Sequence, residues 1–177
     1  MKRYDGVVAD LDRVVEFLNT LDERTFRRHG EHHVGGEQLT SPQALSDWLA
    51  DGTEARPADL RAAIALRTAL RESDPATLAD FPVRLTPGPA GHLRLAAATG
   101  RPWLDEIVEA VAASVARDDW KRVKLCDAPD CRWAFHDTSR NGRGRWCEMG
   151  VCGNRHKTRA YRERELSRRG ERLSPSE

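Results

Sequence analysis

The stretch Cys126-Asp127-Ala128-Pro129-Asp130-Cys131, followed after fifteen residues by Cys147-Glu148-Met149-Gly150-Val151-Cys152-Gly153-Asn154-Arg155, decides how this chain is read. It holds all four cysteines of the 177-residue sequence. Each cysteine pair bridges a short loop, and a hairpin-sized insert separates the two pairs. That pattern matches tetrahedral zinc, which takes four thiolates at about 2.3 Å, supplied two at a time by short knuckles. A structural Zn2+ held by Cys126, Cys131, Cys147 and Cys152 is the resulting expectation.

Two disulfides are the competing reading. The sequence opens Met1-Lys2-Arg3-Tyr4-Asp5 without an apolar signal core, which points to the cytoplasm and a reducing environment. Two bridges confined to 126–152 would also staple only one corner of the chain. A catalytic metal is the other alternative, but it needs an open coordination position and four cysteines leave none. His136 lies inside the insert and reads as a hairpin histidine, because the ligand set is already complete.

The flanking residues sketch the local structure. Val123, Leu125, Trp133 and Phe135 alternate on either side of the first knuckle, whose Asp-Ala-Pro-Asp supplies turn chemistry. Thr138-Ser139-Arg140-Asn141-Gly142-Arg143-Gly144 reads as a hairpin tip, with Trp146 and Cys147 returning on the second strand. Gly153-Asn154 opens a helix over 156–169 that stops at Gly170. Knuckle, hairpin and a helix whose first turn carries the last ligand make a treble-clef-like zinc finger ending in a basic helix.

From Leu125 to Arg162, this stretch resembles the CGNR zinc finger. The resemblance is carried by Trp133, Phe135, Asp137-Thr138-Ser139-Arg140-Asn141, Arg145-Trp146-Cys147 and Cys152-Gly153-Asn154-Arg155, the tetrapeptide that names the family. It covers about a quarter of the chain. Members of that family are described as bacterial stress-induced transcription regulators, so the resemblance implies zinc at the four cysteines and DNA as a partner. Phe17-Leu18-Asn19-Thr20 is similar to the Leu-Val-Asn-Thr run of the ABATE domain that usually precedes such fingers. The implied organisation is an ABATE-like domain at 1–118, the finger at 119–170 and a tail at 171–177.

Charge divides along the same line. Residues 1–119 hold 14 Lys and Arg against 20 Asp and Glu, net −6, whereas 120–177 hold 15 against 8, net +7. The second part is therefore expected to face an anion. Most cations are arginine, which suits phosphate and guanine edges, although arginine is also frequent in the acidic part and then reflects genome composition. No run approaches the ~20 apolar residues of a membrane span.

The N-terminal part reads as mostly helical, and the whole chain as α+β. A core-facing helix is expected over 7–28, with Val7, Leu11, Val14, Val15, Leu18 and Leu21 at helical spacing. His29-Gly30-Glu31-His32-His33-Val34-Gly35-Gly36-Glu37 reads as a polar, mobile loop without a partner. The alternative is a metal or pH-sensing cluster at His29, His32 and His33. Thr40 or Ser41, followed by Pro42, starts a short helix through Ala50, and Pro57 opens a longer one through Glu72, whose Arg61, Arg67 and Arg71 are expected to form a solvated face. Over 82–98 the period changes to alternation around Pro87-Gly88-Pro89-Ala90-Gly91, predicting a β-hairpin that packs on helices or pairs across a homodimer. Pro102 begins the last helix of this part, and Trp120 is expected to pack the two parts together.

No nucleophile elbow, phosphate loop or dinucleotide fingerprint is present, so no enzyme activity and no small-molecule substrate are expected. The final helix carries Arg155, Arg159 and Arg162 on one stripe and Lys157, Arg164 and Arg168 on an adjoining one. Two bland readings compete with an anionic ligand: arginines neutralising a zinc–tetrathiolate charge, expected chiefly of Arg155, and arginines paired with Glu163, Glu165 and Glu171. The sequence-based expectation is a DNA-binding regulator. Arg140, Arg143, Arg145, Lys157, Arg159, Arg162 and Arg164 supply its contacts, and the N-terminal domain provides dimerisation or signal input. A protein-interaction adaptor and an RNA-binding protein stay open beside it.

Overall fold

A computed structural model describes residues 5–28, 30–88 and 91–172, with side chains at 11–27, 30–88 and 91–168. Helix α1 (Asp5–Leu18) buries Leu11, Val14, Phe17 and Leu18. It ends ten residues earlier than its apolar spacing predicts, because polar side chains take over at its end. Thr20 Oγ1 donates to the Phe17 carbonyl at 2.7 Å, and the Asn19 amide exchanges two hydrogen bonds with the Ala134 backbone, at 2.9 and 2.8 Å.

Leu21 consequently lies on a strand. β1 (Leu21–Asp22) pairs antiparallel with β4 (Gly36–Glu37), enclosing a second pair, β2 (Arg27–Arg28) with β3 (Glu31–His32). The segment expected as a partnerless loop is thus a nested hairpin. His33 Nε2 lies 2.8 Å from Asp22 Oδ2 and its ring stacks on Phe26. His32 is exposed on β3, and His29 lies outside the described residues. Gly35 fits because a Cβ there would come within 2.1 Å of the Asp22 carbonyl.

Helix α2 (Pro42–Leu49) starts as expected at Ser41, whose hydroxyl accepts the Ala44 N–H at 3.1 Å. Helix α3 (Pro57–Glu72) buries Ala63, Leu66 and Leu70. Its arginines overturn the solvated-face expectation. Arg61 is exposed, but Arg67 and Arg71 retain only 2% and 7% of their surface. Arg67 forks onto Glu37 and donates to Thr20 Oγ1 at 2.8 Å. Arg71 pairs with Glu23 and donates to the carbonyls of Leu18 (2.9 Å) and Arg132 (3.0 Å). Guanidinium groups tolerate burial when carboxylates and carbonyls answer their donors; here they do so at the Nη groups, while Arg67 Nε has no hydrogen-bond partner among the described residues.

After the short α4 (Pro75–Leu78), β5 (Val83–Pro87) and β6 (Leu93–Ala97) form the expected hairpin, with Leu85 opposite Leu95. It is tied to α5 (Pro102–Ala116) by the Ala97 N–H, which donates to Glu109 at 3.0 Å. Phe17, Leu45, Leu66 and Leu104 centre a core built from α1, α2, α3 and α5. Trp120, on a 3-10 turn, packs against this core together with Val123 and Leu125 of β7 (Val123–Leu125). Its partner β8 (Ala134–His136) places Ala134 inside it. α6 (Asn154–Arg172) ends the description and continues across Gly170, since one glycine costs a helix only about 1 kcal/mol. The described residues form a mixed α/β architecture of six helices and four two-stranded antiparallel sheets. None of its helices is long and apolar enough to cross a membrane.

Candidate metal centre

The first knuckle hangs from the β7–β8 pair, in which Leu125 faces Ala134 and Val123 faces His136. The Cys126 N–H donates to the Trp133 carbonyl at 2.9 Å and the Cys131 N–H to Ala128 at 2.9 Å, folding Cys126 and Cys131 toward one point. Cys152 arrives from the other direction on a π-type turn (Met149–Gly153) that leads straight into α6. Gly153 leaves little room there: a Cβ would displace the exposed Met149 side chain, whose Sδ it would meet at 2.3 Å, and press on Trp146 Cδ1 at 3.2 Å.

Trp146 and Cys147 do not form the expected second strand. The strand partner of β7 is β8, and residues 138–148 run as an irregular loop held by side chains. Asp137 is buried at its root and accepts the N–H groups of Ser139 (3.1 Å) and Gly144 (2.6 Å). Lys124 Nζ binds Asp137 (2.7 Å) and the carbonyls of Gly142 (2.6 Å) and Gly144 (3.0 Å). Arg122 donates to the carbonyls of Asp137 (3.0 Å) and Ser139 (2.9 Å). The Lys124 ammonium, aided by the Ser139 and Gly144 donors, holds the Asp137 carboxyl well below the usual range. An ammonium and a carboxylate here replace the ladder that an Asn-Gly turn leads one to expect.

The four Sγ atoms lie within 4.8 Å of one another, with Cys131–Cys147 at 3.6 Å and Cys147–Cys152 at 3.8 Å. A tetrahedron of thiolates about 2.3 Å from zinc has edges of about 3.8 Å. No disulfide joins them. The sulfurs share their protons unequally. Hydrogen bonding from Cys147 brings Cys131 down to about 5, which pushes Cys147 far up in turn, while burial beside them pushes Cys152 up to about 12. Crowded sulfurs oppose each other's ionisation, and a divalent cation relieves that opposition.

Two arginines border the cluster. Arg155 Nη2 lies 3.9 Å from Cys152 Sγ and 2.7 Å from Asp130 Oδ1, while its guanidinium covers the Phe26 ring at 3.7 Å. Its buried Nε and Nη1 have no hydrogen-bond partner among the described residues, so the group has positive charge to spare beside the sulfurs. Arg24 covers Trp133 at 3.8 Å, and its pKa is raised by Asp22 first and further by Cys131 and Cys147. Four converging sulfurs with cationic surroundings fit a metal carrying excess thiolate charge. Cys126, Cys131, Cys147 and Cys152 would hold it, and the donor set is consistent with zinc. Among the described residues they are the one such grouping, and His136 is not part of it.

The cluster is docked onto the N-terminal helices. Besides Asn19 and Arg71, the Thr25 N–H donates to the Asp130 carbonyl at 3.0 Å. Arg132, in the left-handed region at φ 50°, pairs with Glu23 (3.2 Å) and Glu72 (2.7 Å). Arg24, Phe26 and Asp130 carry no local signal that marks them as neighbours of the sulfurs. Asp130 reads from sequence only as part of a turn.

The cations singled out for an anionic partner lie at the surface. Arg140 and Arg143 are exposed on the 138–148 loop; Arg145 is exposed too, paired with Asp127 (2.7 Å) and 5.0 Å from the Trp146 ring. Lys157, Arg159, Arg162 and Arg164 are exposed on α6; Arg159 comes within 3.6 Å of Asp130 and Arg164 donates to the Ala160 carbonyl. Trp146 packs against His156, with ring centres 4.8 Å apart. The structure thus gathers the cysteines to one point and spreads the cations over a loop and a helix.

This is a compact four-cysteine cluster positioned for metal binding, set between a knuckle and a basic helix. Residues 122–165 match the family model described as the CGNR zinc finger. No curated protein matches the chain.

Proposed function

We propose that the protein is a zinc-containing, DNA-binding transcription regulator of the stress-induced type, with an ABATE-type N-terminal domain at 1–118 and a treble-clef-like finger at 119–170. The observation that carries this reading is α6. Its first residues follow the turn that holds Cys152, and its side chains from Lys157 to Arg164 are exposed except for the half-buried Ala160. At 19 residues it spans about 28 Å, long enough to lie along a nucleic-acid groove. Zinc fixes the orientation of that helix and performs no reaction. Arg140, Arg143, Arg145, Lys157, Arg159, Arg162 and Arg164 contact phosphates or guanine edges. The N-terminal domain supplies dimerisation or signal input in the cytoplasm.

A gel shift on random duplex DNA, with and without chelator, tests the reading. Affinity is expected to fall steeply between low and physiological salt, and the double variant Arg159→Glu, Arg162→Glu to flatten that slope. Unchanged binding in that variant clears α6 of the role. One observation favours a second reading, a protein-interaction adaptor. Tyr161 and Leu166 stand 59% and 68% exposed on α6, and apolar groups of that size suit a protein partner. Salt-insensitive capture of a protein through Tyr161 and Leu166, without DNA binding, decides for it.

A further inference from the structure

Away from the sulfurs, α1, α2 and α5 leave a cleft of about 190 Å³ between them. Buried Val14, Leu49 and Ile107 give it an apolar lining, and Trp48 from α2 and Trp103 from α5 add two indoles. A second cavity of about 260 Å³ adjoins it, since Asp51, Trp103 and Glu106 line both. The two carboxylates therefore stand at the junction between an apolar recess and a polar groove.

The charges around this junction are unequally satisfied. Arg13 is engaged: it donates to Glu16 (3.3 Å) and to the Trp48 carbonyl (3.4 Å), and lies 3.9 Å over the Trp48 ring. Arg56 and Arg101, which line the outer groove, both bind Asp59, at 3.1 and 2.8 Å. Asp51 accepts the Thr53 N–H at 2.8 Å, but neither it nor Glu106 makes an ion pair among the described residues. Arg13 stays beside them, its charge adding to the Thr53 hydrogen bonds that lower the Asp51 pKa, so the cleft sets two carboxylates against one guanidinium.

We propose that this cleft binds a small arylalkylammonium ligand, its ring in the recess beside Trp48 and Trp103 and its ammonium held by Asp51 and Glu106. An apolar enclosure with a few converging polar groups at its edge is the usual form of a small-molecule site. Size narrows the class. A cavity of about 150 Å³ holds one benzene ring, so the recess itself takes a single ring with a short linker. Charge narrows it further, because two carboxylates against the single Arg13 guanidinium leave the cleft net negative, which disfavours an anion and gains nothing from a neutral ring. The ligand would bridge three helices, one of which, α1, leads directly into Asn19, the residue that holds β8 of the metal-binding unit.

The test uses 2-phenylethylamine with the full chain, read by isothermal titration and intrinsic tryptophan fluorescence, with phenylacetate and ethylbenzene as controls. Saturable binding is expected with a dissociation constant below about 1 mM, a modest efficiency for about nine heavy atoms. Asp51→Asn combined with Glu106→Gln should weaken it at least tenfold, with an unchanged circular dichroism spectrum because both side chains are exposed. Trp48→Ala should weaken it independently. Failure to saturate at about 10 mM, equal binding of phenylacetate or ethylbenzene, or no loss in the double variant overturns the proposal.

Discussion

Arginines at the same i, i+4 spacing meet opposite fates on α3 and α6. On α3, Arg67 and Arg71 are buried and forked onto Glu37 and Glu23. On α6, Arg155 and Arg159 share one carboxylate, Asp130, and Arg162 and Arg164 meet none among the described residues. Residue type and helical position are alike in the two cases. What differs is the segment folded across the helix: residues 18–37 lay acids and carbonyls over α3, and among the described residues no element covers α6 beyond its first turns. The exposure of an arginine is therefore decided by chain that its own helix does not contain.

Removing the metal is the largest perturbation that separates the two regions. Structural zinc contributes roughly 10–16 kcal/mol in finger peptides, so, with zinc in the cysteine cluster as proposed, chelation or Cys131→Ser should strip α6 and the 122–153 segment of hydrogen-exchange protection. α3 should keep its protection, because its arginines rest on carboxylates. Loss of both together would break the comparison and show that the docking contacts carry the metal's stability into the helical core.

Arg71→Ala comes next, at about 3–5 kcal/mol in urea unfolding, because Glu23 and two carbonyls lose their buried partner. Arg61→Ala, exposed on the same helix, should stay within about 0.5 kcal/mol. Equal losses would show that burial is not what distinguishes them. Gly153→Ala, which displaces the exposed Met149 side chain and presses on Trp146, is expected to cost about 1 kcal/mol in the stability of the finger.

Acid sharpens the comparison from the carboxylate side. Burial alone raises the pKa of Glu23 and Glu37, but Arg71 and Arg132 on the first, and Arg67 on the second, outweigh it and leave both below their ordinary values. Groups depressed in the folded state give stability that is fully present above the unfolded value of about 4.3 and is lost as pH falls through the folded one. Stability measured downward from about pH 5 should therefore fall, and Glu23→Gln should flatten that fall. The smallest effect belongs to Arg162→Ala, within about 0.5 kcal/mol in stability; under the proposed DNA-binding role it should lower the salt slope by about one.

What the sequence shows of this fold follows the range of the signals. α2, α3, α5 and the β5–β6 hairpin are legible because Ser41-Pro42, Pro57, Pro102 and the proline-glycine turn act locally. The four cysteines are legible because two short knuckles nearly dictate where their sulfurs meet. Leu21 keeps helical spacing yet leaves α1, since Asn19 is used by a backbone far along the chain. Arg67 and Arg71 look like any exposed pair until Glu37 and Glu23 are folded over them. Trp146 reads as strand because nothing local reveals that Lys124 and Asp137 fasten the preceding loop.

The bond between Asn19 and Ala134 joins positions 115 residues apart. During synthesis at about 5–20 residues per second, Asn19 emerges on the order of ten seconds before the residue that completes it. Through that interval the end of α1 has no β8 to dock against, and a nascent chain stalled before the knuckles would offer it to chaperones and proteases. Quality control can therefore sense an unfinished finger through a helix at the opposite end of the polypeptide.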